Sequence, residues 1–334
     1  MEILIGLLAV ILLAFVPMAL YSLVLWWFDR YEREPVGLLI VAFLWGAIPA
    51  IIFSVIAQLI FEIPISILVG RNMGAQLIGA GLVAPLTEEP FKGLALLLLL
   101  LLFRREIDTP LDGIVYGGLV GFGFAATENA LYFLGEFGMR GLTGVLGLAF
   151  FRAVIFGLNH ALFTACTGLG FALAHTSPNK ALRFSAPILG LAAGTALHAI
   201  HNIGASLGSA LCWPLVISVV SDWGGVLAFL GILLWISYRE RRWISEHLAD
   251  EVDAGTIGPQ DYQIIPSYWR RLRNRVQALF QGDPTRWRQL GKYYRLATEL
   301  AFLKQRQKSH GDEKETTMQI EERRRELYSL RKEL

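Results

Sequence analysis

The sequence predicts an all-α polytopic membrane protein: about seven transmembrane helices, followed by a soluble helical region at the C-terminus. Three observations predict it. Apolar residues fill 54% of the 334 positions and charged residues 17%, at a mean hydropathy of +0.49, which suits lipid better than a soluble core. Apolar runs long enough to supply the ~20 residues that cross a ~30 Å hydrocarbon layer recur at 2–27, 36–61, 76–102, 111–136, 143–173, 184–210 and 222–238. Charge is uneven: residues 1–238 hold 10 Lys/Arg and 13 Asp/Glu, and residues 239–334 hold 20 and 15, so the net +2 divides into −3 and +5.

The first span opens MEILIGLLAV, with neither a basic leader nor a small-residue cleavage site, and reads as a retained helix rather than a signal peptide. The connections after spans one, three and five carry Arg30 and Arg33, Arg104 and Arg105, and Lys180 and Arg183. The alternate connections carry only Arg71, Arg140 and none. Basic residues stay cytoplasmic, so the amino terminus is expected outside and the tail inside. Cys166 and Cys212 lack CxxC spacing, which argues against a disulfide framework or a thiolate metal site.

Four successive spans contain residues that lipid excludes unless they face each other or water: Glu88, Glu89 and Lys92; Glu128 and Asn129; His160; His198 and Asn202. Measured from cytoplasmic ends near 102, 111, 173 and 184, Glu88, Glu128, His160 and His198 lie 14, 17, 13 and 14 residues in. At 1.5 Å per residue all four reach one level, about 20 to 25 Å deep. A shared cavity is the expected result.

In APLTEEPFKG, Pro85 and Pro90 lack N–H groups for Gly81 and Leu86, so this helix is expected to kink or open at the two carboxylates. Glu88 and Lys92 are i,i+4 and can pair, with Glu89 turned to another face. Crowding two carboxylates raises the proton affinity of one, as a general base or acid requires. In GLVGFGFAATENALYF, Phe124 and Glu128 share a face, and the glycines at 117, 118, 121 and 123 admit a neighbouring helix closely. His160 sits mid-span, preceded by Asn159 and followed by Thr164 one turn on. In LHAIHNIG, His198 and Asn202 are i,i+4 on one face, suited to an oxyanion, a water or a metal, while His201 reads as a bystander.

EExxK, FxxxEN, a mid-span His and HxxxN, in that order on four helices, together with the DRYEREP stretch after the first span, resemble the PrsW family of bacterial intramembrane proteases. That family is similar to the larger CAAX-type (CPBP) group, where His usually stands at the second motif; Glu128 favours PrsW. The resemblance covers about residues 20–210 and implies endopeptidase action on a membrane-associated protein, such as a single-span anti-sigma factor, in a bacterial inner membrane. Carried over residue by residue, it makes Glu88 and Glu89 the catalytic pair and adds Glu128, His160, His198 and Asn202. Glu89 or Glu88 would take a proton from water, Asn202 and His198 would hold the oxyanion, and a protonated carboxyl or His160 would supply the leaving amine. No cofactor is favoured. A zinc-dependent version would draw its ligands from Glu128, His160 and His198, although HExxH is absent. A proton-coupled transporter is the reading from another class, weakened by the lack of an inverted repeat of the motifs.

The expected domain organisation is a membrane domain over 1–238 and a cytoplasmic helical tail over 239–334. ERRWISEHLADEV starts a short helix and AGTIGPQDY makes a turn. SYWRRLRNRVQALF, DPTRWRQLGKYYRLATELAFLKQRQ and EKETTMQIEERRRELYSLRKEL read as helices, with Asp283 capping the second and Pro284 at its first position. Trp269, Leu272, Val276, Leu279 and Phe280 form an apolar stripe beside Arg270, Arg271, Arg273 and Arg275, suited to the inner leaflet or a small helical domain. The 15 interspersed acids argue against nucleic-acid binding.

Overall fold

A computed structural model describes residues 2–31, 33–70, 72–208, 211–310 and 314–334. Met1, Glu32 of DRYEREP, Arg71 of the charge comparison, the end of the 184–210 run and Glu313 of the last helical stretch lie outside the described residues. The described chain is helical and polytopic, and it forms two compact units: Met1–Asp29 with Glu34–Gly231, and Arg30–Arg33 with Ile232–Leu334.

The first unit contains α1 (Glu2–Phe28), α2 (Val36–Trp45), α3 (Ile51–Val69), α4 (Met73–Ile78), α5 (Ala84–Leu102), α6 (Pro110–Ala149), α7 (Asn159–Thr176), α8 (Lys180–Leu207) and the start of α9 (Cys212–Asp253). Five described segments are long and apolar enough to cross a membrane: Ile3–Phe28, Val36–Phe61, Pro110–Thr176, Lys180–Leu207 and Cys212–Asp253. The third holds two helices, and α5 carries Glu88, Glu89 and Lys92, more charge than an ordinary span. Leu4, Leu8, Ile40, Ile52, Ile188 and Val220 stay exposed on these helices, as lipid-facing residues do.

Prolines widen turns here without breaking helices at the acids. Pro49 lies inside a π turn at Gly46–Ala50, and Pro85 follows another at Gly79–Val83. The opening expected at Glu88 and Glu89 therefore sits one turn earlier, in the wide turn that holds Gly81, whose carbonyl loses its i+4 donor to Pro85, and regular helix runs through both carboxylates and past Pro90.

α6 is the central helix, packed on α1, α2 and α7. Thr109 and Asp112 form a reciprocal capping box at its start, with Pro110 at the first helical position. Glycines at 113, 117 and 121 present one bare stripe, where an added Cβ would land on the carbonyls of Gly168, Thr164 and His160 in turn. The steps of four in opposite directions define an antiparallel pair at backbone contact, the small-residue packing that replaces a hydrophobic driving force in lipid. α6 bends at Gly141 (φ 63), then a π segment at Phe150–Ile155 and a break at 156–158 precede α7. His160 is thus the second residue of a helix, not mid-span as the hydropathy implies. Gly157 permits that break, because a Cβ there would strike the Ala153 carbonyl.

The second unit adds α10 (Pro259–Ile264), α11 (Tyr268–Phe280), α12 (Pro284–His310) and α13 (Lys314–Arg331). Its core includes Ile244, Leu248, Ile265, Tyr293, Leu300 and Leu327. Arg286 N donates to Asp283 Oδ1 at 2.8 Å, capping α12. Trp269 and Phe280 of the expected stripe are exposed, whereas Arg271 is buried over the Tyr31 ring at 4.9 Å.

Two expectations follow. Gly113→Val drives a side chain into the Gly168 carbonyl and Ala172; it should lower the thermal midpoint in detergent by the equivalent of about 1 to 3 kcal/mol of overpacking. Glu34 is buried, accepts from Tyr116 Oη at 2.6 Å, and donates its backbone N–H to Asp29 Oδ2 at 2.8 Å. Burial, with help from the charges of Asp29, Glu106 and Asp108, pushes its carboxyl from 4.5 up to about 8, against the Tyr116 hydrogen bond. Between those values the folded chain keeps a proton that the unfolded chain has lost, so stability should fall as pH rises from about 4.5 to about 8. Thermal midpoints across that window should show the slope, and Glu34→Gln should flatten it.

Candidate active site

The four polar spans meet. Lys92 Nζ, wholly buried on α5, donates to Glu89 Oε1 at 2.7 Å and Glu88 Oε2 at 3.3 Å. It also lies 3.0 Å from His160 Nδ1 and 3.9 Å over the Phe124 ring. Glu89, expected on another face, is the closer partner of the lysine, since i,i+3 neighbours also share a helix face.

Each carboxylate has its own surroundings. Glu89 is fully buried, and both its oxygens are bonded: Oε1 by Lys92 and by His198 Nδ1 at 2.9 Å, Oε2 by Thr164 Oγ1 at 3.2 Å. Glu88 accepts from Gln58 Nε2 of α3 at 3.0 Å and lines a cavity of about 1010 Å³. Glu128 lines the same cavity and is paired with Arg152 Nη2 at 2.6 Å and His160 Nε2 at 2.9 Å.

The imidazoles are fixed by these partners. A lysine ammonium can only donate, so His160 Nδ1 accepts from it and Nε2–H donates to Glu128; both ring nitrogens are occupied. His198 donates Nδ1–H to Glu89, stacks on Phe163 with centroids 5.0 Å apart, and holds Nε2 3.8 Å from Glu88 Oε2. Asn202 stands apart from this cluster: its Nδ2 donates to the Ala80 carbonyl in the α4–α5 π turn at 2.8 Å, and it lines the cavity.

Sequence reasoning missed three contributors. Arg152 bridges Glu128 and Asn129, with its Nε 2.8 Å from Asn129 Oδ1; a lone arginine inside FFRAVI was the available signal. Gln58 was the one amide in its apolar run, and Asp222 the one acid in the last span.

Glu88, Glu89, His160 and His198 each offer a donor atom, all within 4.8 Å of one another. Two carboxylates and two imidazoles suit a zinc-type ion, so the residues fit a metal; Glu128, the expected ligand, falls outside the group. Metal and lysine ammonium would compete for the same lone pairs.

Fold and cluster together define a multi-pass membrane protein with a buried acid–imidazole centre. The sequence model described as PrsW family intramembrane metalloprotease matches residues 34–237, and the chain belongs to that family. It is similar to Protease PrsW of Oceanobacillus iheyensis, at 31% identity over 63% of this chain and 84% of that protein. The same-named protein of Bacillus subtilis is 28% identical over 64% and 85%, and that of Clostridioides difficile 33% identical over 42% and 55%. No solved structure matches the chain. The family is one of intramembrane proteases, which favours peptide hydrolysis over transport.

Lys92→Met keeps the length of the side chain and removes its charge. It leaves Glu89 buried without its ammonium, so the detergent-solubilised variant should lose about 3 to 5 kcal/mol of stability, read as a lowered thermal midpoint.

Proposed function

We propose that the chain hydrolyses a peptide bond of a single-span membrane protein with Glu88 as the base that activates water. The observation that carries this reading is the division between the two acids: Glu89 is closed off on all sides, and Glu88 lines the cavity. A general base has to reach the proton it removes, and Glu88 alone of the pair is placed to do so.

Gln58 and Lys92 hold the Glu88 carboxylate from two directions. A water between it and the substrate carbonyl gives its proton to Glu88 and forms the new C–O bond. Asn202 lines the same cavity with one N–H engaged by Ala80, which leaves its second N–H for the oxyanion. The Lys92 ammonium supplies positive charge at the centre, and Glu128 with Arg152 and His160 lines the same cavity. Substrate class, inner-membrane location and an external amino terminus belong to this proposal, motivated by the motif set and the alternation of basic connections.

A zinc-dependent form of the reaction is the second reading, favoured by the four clustered donors and the family description. Bound by Glu88, Glu89, His160 and His198, the ion would supply Lewis acidity and an acidified water.

Reconstitution in liposomes with a panel of single-span reporters tests both. Wild type should release two fragments, and Glu88→Gln should slow release at least ~10²-fold while keeping its thermal midpoint. Undiminished cleavage by that variant rejects Glu88 as base. Elemental analysis and a chelator separate the readings: unchanged cleavage without stoichiometric metal supports the lysine-centred site, and loss of cleavage reversed by zinc supports the other.

A further inference from the structure

Breaking a peptide bond also needs a proton for the departing nitrogen, and apart from Glu88, which ends the attack step carrying water's proton, the cluster around Lys92 offers no free donor. Both ring nitrogens of His160 are occupied, His198 is 1% exposed and bonded to Glu89, and Glu89 is saturated. A third imidazole lines the cavity.

His201 lies three residues beyond His198 on α8, across the Phe163 ring, whose centroid is 6.2 Å from its own. Its Nδ1 stands 2.7 Å from Oδ2 of Asp222, an acid on α9 that is 1% exposed. Asn159 Nδ2 donates to the same oxygen at 2.9 Å, and Ser218 Oγ lies 3.4 Å from it. Asp222 Oδ1 is buried with no hydrogen-bond partner among the described residues. Of the three groups on Oδ2, His201 is the nearest and the one that can carry positive charge.

A carboxylate only accepts, so Nδ1 carries the hydrogen that faces it. That fixes the tautomer and the ring plane, and it leaves Nε2 at the opposite corner with no hydrogen bond from a described residue. With Nδ1–H held by Asp222, a second proton on the ring can sit only at Nε2, on the side away from the acid. Phe156, edge-on to His201 at 4.9 Å, backs the ring with apolar surface.

We propose that His201, positioned by Asp222, donates the proton to the nitrogen released from the scissile bond. The proposal rests on the Glu88 reading. In the balanced step, water gives one proton to Glu88 and its oxygen to the carbonyl carbon. The C–N bond then breaks, and its electron pair takes the Nε2 proton of His201. The new carboxylic acid and Glu88 each shed a proton, one of which restores His201 while the other passes to the amine, so one water is consumed and one carboxylate and one ammonium are formed. Asp222 keeps its charge throughout.

The test uses a single-span reporter that the wild-type protein cuts in liposomes, prepared with either the native amide or a thioester at the cut bond. A thiolate leaves without a proton; an amine does not. His201→Gln should slow amide cleavage by ~10²- to 10⁴-fold and thioester cleavage by less than ~10-fold. Asp222→Asn should show the same selectivity in milder form, and Glu88→Gln should slow both, since both need attacking water. Equal losses on the two bonds would make the pair a packing contact between α8 and α9 and overturn the proposal. So would an unchanged amide rate in His201→Gln, and that result would leave the Glu88 reading standing if Glu88→Gln is inactive. If Glu88→Gln cuts both bonds normally, the underlying reading fails and this one with it.

Discussion

The site depends on one buried ammonium. Lys92 is wholly enclosed, yet it touches Glu88, Glu89, His160 and the face of Phe124. Two carboxylates on one turn of a membrane helix repel each other and are each costly to desolvate. A lysine three and four residues on reaches both at once, because i,i+3 and i,i+4 positions lie over the same patch of helix. Its third hydrogen is taken by a neutral imidazole from another helix, so the cation also ties α5 to α7. Removing it would leave charge without compensation, whereas adding a divalent cation would force the two positive centres to share the same lone pairs.

That convergence in turn needs the backbones to come close. The stripe at Gly113, Gly117 and Gly121 sets α7 against α6 with no side chains between them, and its last step places His160 beside Gly121. Any side chain on that stripe would push α7 outward and lengthen the contacts from His160 to Lys92 and Glu128 together. The break at 156–158 serves the same end, turning Asn159 toward Asp222 and His160 toward Lys92 from adjacent positions at the head of one helix. Packing therefore fixes hydrogen-bond lengths here, with glycine content as the adjustable quantity.

Much of this was legible because lipid makes polar residues conspicuous. Glu88, Glu89, Glu128, His160 and His198 stood out in apolar runs, and antiparallel depth arithmetic foretold their meeting. What the pattern could not give was direction. Helical spacing puts His198 and Asn202 on one face, but one bonds Glu89 and the other the Ala80 carbonyl. Hydropathy averages over a window, so it passed smoothly across the break before Asn159 and placed His160 in mid-helix. Proline rules foretold disturbed turns correctly but put one of them a turn too late, because a π turn absorbs lost hydrogen bonds upstream of the ring. Arg152, Gln58 and Asp222 were overlooked for a different reason: a single polar residue in a span has no partner in the local sequence to mark it.

The two carboxylate systems differ in a way that would suit the opposite proton tasks proposed for them. Glu88 is held by Gln58 and by the edge of the Lys92 network and lines the cavity, while Glu89 keeps the lysine and His198 in place. Asp222 is sealed, with His201 its nearest partner beside Asn159 and Ser218. In the proposed reading, the first arrangement presents a base to the cavity with its supporting charges behind it. The second hides the charge and exposes the ring that it polarises. Phe163 packs against both His198 and His201, and among the described residues no hydrogen bond links Glu88 to His201, so in the proposed reading acceptance and donation stay independent until a substrate spans the cavity.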